Sequence, residues 1–263
     1  MTALRFEIIP AADIADRLCA TFADPRDVTL TVTSLPKHGV ERTLSTAIEL
    51  AGHGFDVVPH LSAKSIGIRS ALVDVIERMR AAGIREAFAV SGDGHPQSDG
   101  YASSLEMMRD LAEIDHGLSL GIAGYPEGHP AMSEEHLMQH LLERAPYVDK
   151  VITQMCFSTA AIGAYGAKLR AAGVGAQLWV GLPGAIARQR LITLSTRIGV
   201  GTSLGFLKRS SSVAGGLMRS RDFDPAPFIR ELEAEPRLRA VGIGGLHVYS
   251  FNEVERLPAT FLR

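Results

Sequence analysis

Leu4-Arg5-Phe6-Glu7-Ile8-Ile9-Pro10 is a short apolar run with two charged residues set into it. Its length and its Ile and Phe content fit a β-strand, and Pro10 closes it. Seven further runs of this kind follow: Val28–Thr33, Phe55–His60, Ala87–Ser91, Leu118–Gly124, Val151–Phe157, Gln177–Leu182 and Val241–Val248. Several are apolar at nearly every position, as expected of strands covered on both faces. Helix-length segments separate them. Eight strands alternating with helices predict βα units in a parallel sheet. The count of eight and the length of 263 residues fit a single-domain α/β fold, the (βα)8 TIM barrel. An open doubly wound sheet is the structural alternative.

The punctuation agrees. Ala51-Gly52-His53-Gly54, Ala82-Gly83-Ile84 and Ala172-Gly173-Val174-Gly175 precede the third, fourth and seventh runs. Glycine just past a helix end adopts the left-handed conformation that stops the helix. Ser133-Glu134-Glu135-His136 reads as an N-cap with acids in the first turn. An insertion around 201–236 precedes the eighth strand, with a helix expected around Pro225–Glu235. No repeat or linker divides the chain, so one catalytic domain over 1–263 is expected.

Bulk properties narrow the function. A net charge of −2 with acids and bases intermixed gives no footprint for nucleic acid or an anionic membrane surface. No apolar run reaches the ~20 residues that span a bilayer. Arg5 and Glu7 make the first run unlike a secretory leader. Cys19 and Cys156 stand far apart and outside any metal spacing, so a reduced, cytoplasmic chain without a bound metal is expected.

A barrel carries its chemistry at the carboxyl ends of its strands. Read in order, those ends present Glu7, Thr31 and Thr33, His60, Ser91 with Asp93, Tyr125 with His129, and Gln154. Leu182-Pro183-Gly184 follows, then His247 and Tyr249. Glu7 is the sharpest of these, because a carboxylate in an apolar strand is costly unless it is paired or used. A pairing with Arg5 or a nearby base is the plainer alternative. Motifs for a zinc hydrolase, a serine nucleophile, a phosphate loop and a Rossmann site are all missing. Acid–base residues around a pocket for a planar substrate remain. Gly121-Ile122-Ala123-Gly124 reads as a close backbone approach to a ligand.

At these residues the chain resembles the methylenetetrahydrofolate reductase family, (βα)8 enzymes that reduce 5,10-methylene-tetrahydrofolate to 5-methyl-tetrahydrofolate. Phe6-Glu7-Ile8-Ile9-Pro10 is similar to the family's Phe-Glu-x-x-Pro, and Pro59-His60-Leu61 to its Pro-His-Leu. Ser91-Gly92-Asp93, Pro96 and Tyr101-Ala102-Ser103 are similar to its Arg-Gly-Asp…Tyr-Ala-Ser region. Tyr125-Pro126-Glu127-Gly128-His129-Pro130 matches its Tyr-Pro-Glu-x-His-Pro loop, and Ile152-Thr153-Gln154 its Ile-Thr-Gln strand. The resemblance runs over roughly residues 4–185 and returns weakly at His247-Val248-Tyr249.

The resemblance implies specific roles. Glu7 is the general acid that protonates the departing N10, its apolar setting keeping the carboxyl protonated near neutrality. Asp93 stabilises the iminium cation that results. Asp93 and Gln154 hold the pterin edge through paired hydrogen bonds, with Tyr249 beside them. His60, Ser91, Gly92, Tyr125, His129 and Thr33 line the cofactor side. The substrate is a tetrahydrofolate derivative of one-carbon metabolism, on the route to methionine. NADH or NADPH is the hydride donor.

One departure bears on the cofactor. Ser91 stands where most flavin-dependent members carry Arg, and Leu141–Lys150 lacks their basic segment. A pyrophosphate needs charge-assisted donors or a helix N-terminus. Direct transfer from the nicotinamide is therefore favoured over FAD, with Lys208, Arg209 or Arg188 as phosphate partners. A corrinoid-linked methyltransferase and a non-catalytic folate-binding barrel are the other classes. No effector-binding module is expected after the last strand.

Overall fold

The computed structural model describes residues 3–36, 39–93, 100–187, 189–191, 193 and 223–261. Pro96, Arg188, Lys208, Arg209 and the part of the expected insertion over 201–222 lie outside the described residues. Eight strands join in chain order into a closed barrel. They are β1 (Ala3–Ile8), β2 (Thr29–Val32), β3 (Asp56–Ser62), β4 (Glu86–Val90), β5 (Ser119–Gly124), β6 (Lys150–Thr153), β7 (Gln177–Pro183) and β8 (Ile243–Tyr249). The paired registers are parallel, and helices alternate with the strands, so the fold is the expected (βα)8 barrel.

Packing divides the chain into two compact units. The first holds Arg5–Ile122 and Glu143–Lys150. Within it, β1 sorts its residues by period two. Phe6 and Ile8 are fully buried, and Phe6 stacks on Phe22 at 5.9 Å between centroids. Arg5 and Glu7 point to the opposite face of the strand. Helix α2 (Gly39–Gly52) buries Leu44, Ala47 and Leu50, one stripe at helical spacing. Each leucine so placed contributes about 1.5–3 kcal/mol. The lower rung of the other face is ionic. Arg5 forks onto Glu86 at 2.6 and 3.3 Å, and Lys150 Nζ reaches the same carboxylate at 2.9 Å and Ser119 Oγ at 3.0 Å.

The second unit holds Met1–Leu4, Ala123–Leu142 and Val151–Arg263. Helix α6 (Glu134–Arg144), which starts in this unit, begins as the sequence predicts, with Ser133 Oγ accepting from His136 N. Two boundaries differ from expectation. β6 stops at Thr153, although the apolar run continues to Phe157; Met155, Cys156 and Phe157 are buried in the following segment. That segment packs with Ile186, Leu191 and Phe223 in a core of its own, so burial there carries no strand. Val241 ends a short helix (Pro236–Val241) instead of opening β8, and Gly242 at φ +74° makes the turn between them. The helix expected at Pro225–Glu235 spans Ala226–Ala234.

Glycines in this unit make room for larger neighbours. An added Cβ at Gly245 would overlap the Trp179 ring, and one at Gly244 would meet the same indole. An added Cβ at Gly181 would overlap the Thr153 carbonyl and crowd Tyr249. The chain turns left-handed at Gly83 and Gly173, as their helix-end positions predict. No described helix is long and apolar enough to cross a membrane. Cys19 is exposed and Cys156 buried, and both are free thiols.

Candidate active site

In the first unit the strand ends gather around Glu7. Registers Glu7↔Thr31 and Thr31↔Val58 place one rung of side chains, and His60 stands two residues beyond Val58 on the same face. His60 Nε2 lies 3.6 Å from Glu7 Oε2. Both side chains are largely covered, at 11% and 19% exposure, yet neither is sealed from water. The His60 ring tilts over Phe88 at 4.7 Å, which fixes its plane. Arg5, the partner that a plainer reading would give Glu7, is taken up by Glu86.

Two threonine hydroxyls flank this pair. Thr31 and Thr33 are buried, and neither Oγ1 has a hydrogen-bond partner among the described residues. A buried hydroxyl left unpaired costs about 1–3 kcal/mol. A bound polar ligand would recover that cost. Thr33 is otherwise fixed: its N–H donates to the Ile8 carbonyl at 3.0 Å, and its carbonyl accepts from Thr43 Oγ1 at 3.1 Å.

At the end of β4 the residues also brace the scaffold. Ser91 Oγ accepts from Ser104 N at 3.1 Å, at the start of helix α5 (Ser104–Ala112). Arg144 donates to Ser104 Oγ at 3.3 Å. Gly92 has φ +83°, and an added Cβ would overlap Ser62 Oγ. Glycine there answers a close approach to the protein's own Ser62, which needs no ligand. Asp93 is exposed on the loop that follows.

The second unit brings together Tyr125, Pro126, Glu127, Gly128, Gln154, Met155 and Cys156 around one small cleft. Tyr125 and His129 meet edge to face at 5.4 Å, with Gly128 in the left-handed turn between them. Gln154 is half-buried at the first position after β6, so it is a loop residue and not the buried strand residue that the sequence suggests. Its carboxamide oxygen accepts from Met155 N at 2.8 Å, and its backbone N–H donates to the Gly124 carbonyl at 2.7 Å. These two bonds fix the side chain at the cleft. Tyr249 donates its hydroxyl to the Thr153 carbonyl at 3.1 Å and packs its ring against His247 at 4.9 Å. Gly181 N donates to Thr153 Oγ1 at 2.8 Å, which completes a tie across β6, β7 and β8.

Met155 and Cys156 line the cleft and were not singled out as site residues by the sequence. Their signal is masked because they extend an apolar run. Among the described residues, no group of three or more His, Cys, Asp or Glu could hold a metal ion.

The Ser91 hydroxyl accepts from the α5 backbone, and the first turn of α6 carries Glu134 and Glu135.

Comparison with known proteins gives a family and likenesses to solved structures. Residues 12–187 match the family methylenetetrahydrofolate reductase. Among solved structures, the chain is similar to the carboxyl transferase domain of Rhizobium etli pyruvate carboxylase with 3-hydroxypyruvate. Identity there is 10% and the TM-score 0.43. The likeness covers 70% of this chain and spans only 36% of that one, and a likeness of this size says nothing of function.

Proposed function

The chain belongs to the methylenetetrahydrofolate reductase family, an assignment that makes it an oxidoreductase of methylene-tetrahydrofolate, and we propose that it reduces 5,10-methylene-tetrahydrofolate to 5-methyl-tetrahydrofolate with hydride taken directly from NADH or NADPH. The observation that carries the chemistry is Glu7 beside His60, next to two buried threonine hydroxyls that have spare hydrogen-bonding capacity.

Glu7 is the proposed general acid. Its carboxyl gives a proton to N10 of the folate, and the C–N10 bond breaks with its electron pair going to N10. The methylene carbon is left as an N5 iminium. Hydride then adds to that carbon and makes the methyl group. The donor and acceptor carbons must approach to roughly 3–3.5 Å, so the nicotinamide and the pterin bind together. Asp93 and Gln154 are the proposed pterin contacts, and a carboxylate near the iminium also stabilises its charge. Gln154 is held ready by its bond from Met155 N. Tyr249 supports the Gln154 segment through the Thr153 carbonyl. Thr33, His60, Ser91, Gly92, Tyr125 and His129 are the proposed contacts on the nicotinamide side.

Transfer without flavin is supported by the use already made of Ser91 and by the acidic start of α6. The test is the visible spectrum of the purified protein, followed by turnover. The expected result is no flavin band, with nicotinamide oxidation that depends on methylene-tetrahydrofolate and proceeds without added FAD. A stoichiometric flavin band would overturn direct transfer. Absence of turnover with either nicotinamide, with and without FAD, would overturn the reductase reading itself.

A further inference from the structure

Glu7 and His60 raise a question that the general-acid role leaves open. An acid that releases its proton once per turnover must be reloaded, and its carboxyl must face the substrate each time. His60 lies at ion-pair distance from Glu7, at 3.6 Å through Nε2. That separation exceeds a hydrogen bond, and catalytic contacts are often this long without substrate and tighten on binding. The imidazole also packs on Phe88, with ring centroids 4.7 Å apart.

We propose that His60 is a positioning residue for Glu7, and that the two side chains hold one exchangeable proton between them and return it to the carboxyl for each turnover. The inference rests on the reductase reading for its catalytic consequence. Its physical content, the shared proton, does not depend on turnover.

The proton count closes. The loaded pair carries one proton, on the carboxyl or on the imidazole. Transfer to N10 leaves a carboxylate beside a neutral imidazole. One proton from water then reloads the pair, which the partial exposure of both side chains permits. The net reaction consumes one proton and one hydride per methyl group formed.

Nearby charged groups lie on other rungs and on loops. Arg5, on β1, belongs to the rung below and is bound to Glu86 of β4, which also holds Lys150 of β6. Asp56, on the strand of His60, accepts from Thr29 of β2 in that same lower rung. The β2 residues nearest the pair are the uncharged Thr31 and Thr33, and β4 presents Phe88. Lys64 follows the end of β3, and Asp93 lies on the exposed loop after β4.

A proton shared by two sites is given up at higher pH than one held by the carboxyl alone, because two microstates retain it. Loss of this proton sets the alkaline limb of kcat/KM. His60→Gln keeps a polar group near the carboxyl and cannot carry the proton. It is expected to move the alkaline limb to lower pH by about one unit, the scale of coupled titrations. A side chain that merely packs would lower kcat at every pH and leave the limb in place.

The second arm reads the ligand-free protein. The His60 ring is followed by NMR titration, assigned among the nine histidines by its loss in His60→Gln. Glu7→Gln removes the carboxylate that favours the imidazolium, so the ring is expected to titrate about one unit lower. A His60 titration indifferent to Glu7→Gln overturns the shared proton. A limb unmoved in His60→Gln overturns the delivery of that proton. A protein that turns over no folate yet shows the coupled titration loses the reductase reading and keeps the pair.

Discussion

Glu7→Gln is expected to leave the fold intact and to lower reductase turnover by about 10²–10⁴-fold, the usual contribution of a positioned general acid. The carboxamide matches the carboxyl in shape and fits the same largely covered site beside His60 and Thr31. It has no acidic proton to give N10, so the methylene bridge stays closed and hydride finds no iminium. Binding of the nicotinamide and of the folate should survive, and the loss should fall on kcat. Steady-state turnover with equilibrium binding of both ligands checks this. Near wild-type turnover would remove Glu7 from the mechanism. Loss of folate binding with unchanged kcat would make it a contact and not an acid.

The largest expected effect on stability lies one rung lower. Glu86→Ala removes the carboxylate that holds both Arg5 and Lys150, whose side chains are 4% and 15% exposed. Two cations would then face each other without their shared anion. Breaking a buried pair from one side costs about 3–5 kcal/mol, because the remaining charge stays desolvated. The cost here should sit in that range. Denaturant titration measures it as a fall in midpoint at unchanged slope. A change below about 1 kcal/mol would mean that water screens the network like a surface pair. The triple replacement Arg5→Met, Glu86→Leu, Lys150→Met is the counter-test. If charge isolation is the cause, it should restore much of the loss, since apolar groups of similar volume leave nothing unpaired.

Much of this was legible in the sequence, for physical reasons. Period-two alternation in β1 sets Phe6 and Ile8 against Arg5 and Glu7, and the structure keeps that division. Glycines past helix ends and Ser133 before Glu134 mark boundaries by local backbone chemistry alone, and local chemistry is written locally. Gln154 was misplaced because an apolar run shows burial and not the element that is buried. Met155 to Phe157 are as apolar as a strand and pack in a loop core. Partner choice was the least legible. Arg5 is two residues from Glu7, yet its carboxylate comes from Glu86, eighty-one positions away. The bond from Ser104 N to the Ser91 hydroxyl joins residues thirteen positions apart and is equally invisible in the sequence.

Trp179 is the only tryptophan in the chain, and it is buried where Gly244 and Gly245 leave space for its indole. It belongs to the compact unit that carries Gln154, and the unit that carries Glu7 has none. Intrinsic fluorescence therefore reports the melting of one unit, while far-ultraviolet circular dichroism averages over both. Superimposed curves are the signature of a single cooperative transition. An emission shift that runs ahead of the dichroism would mark the tryptophan-bearing unit as the first to open, and the protein would then carry its own optical gauge of partial unfolding.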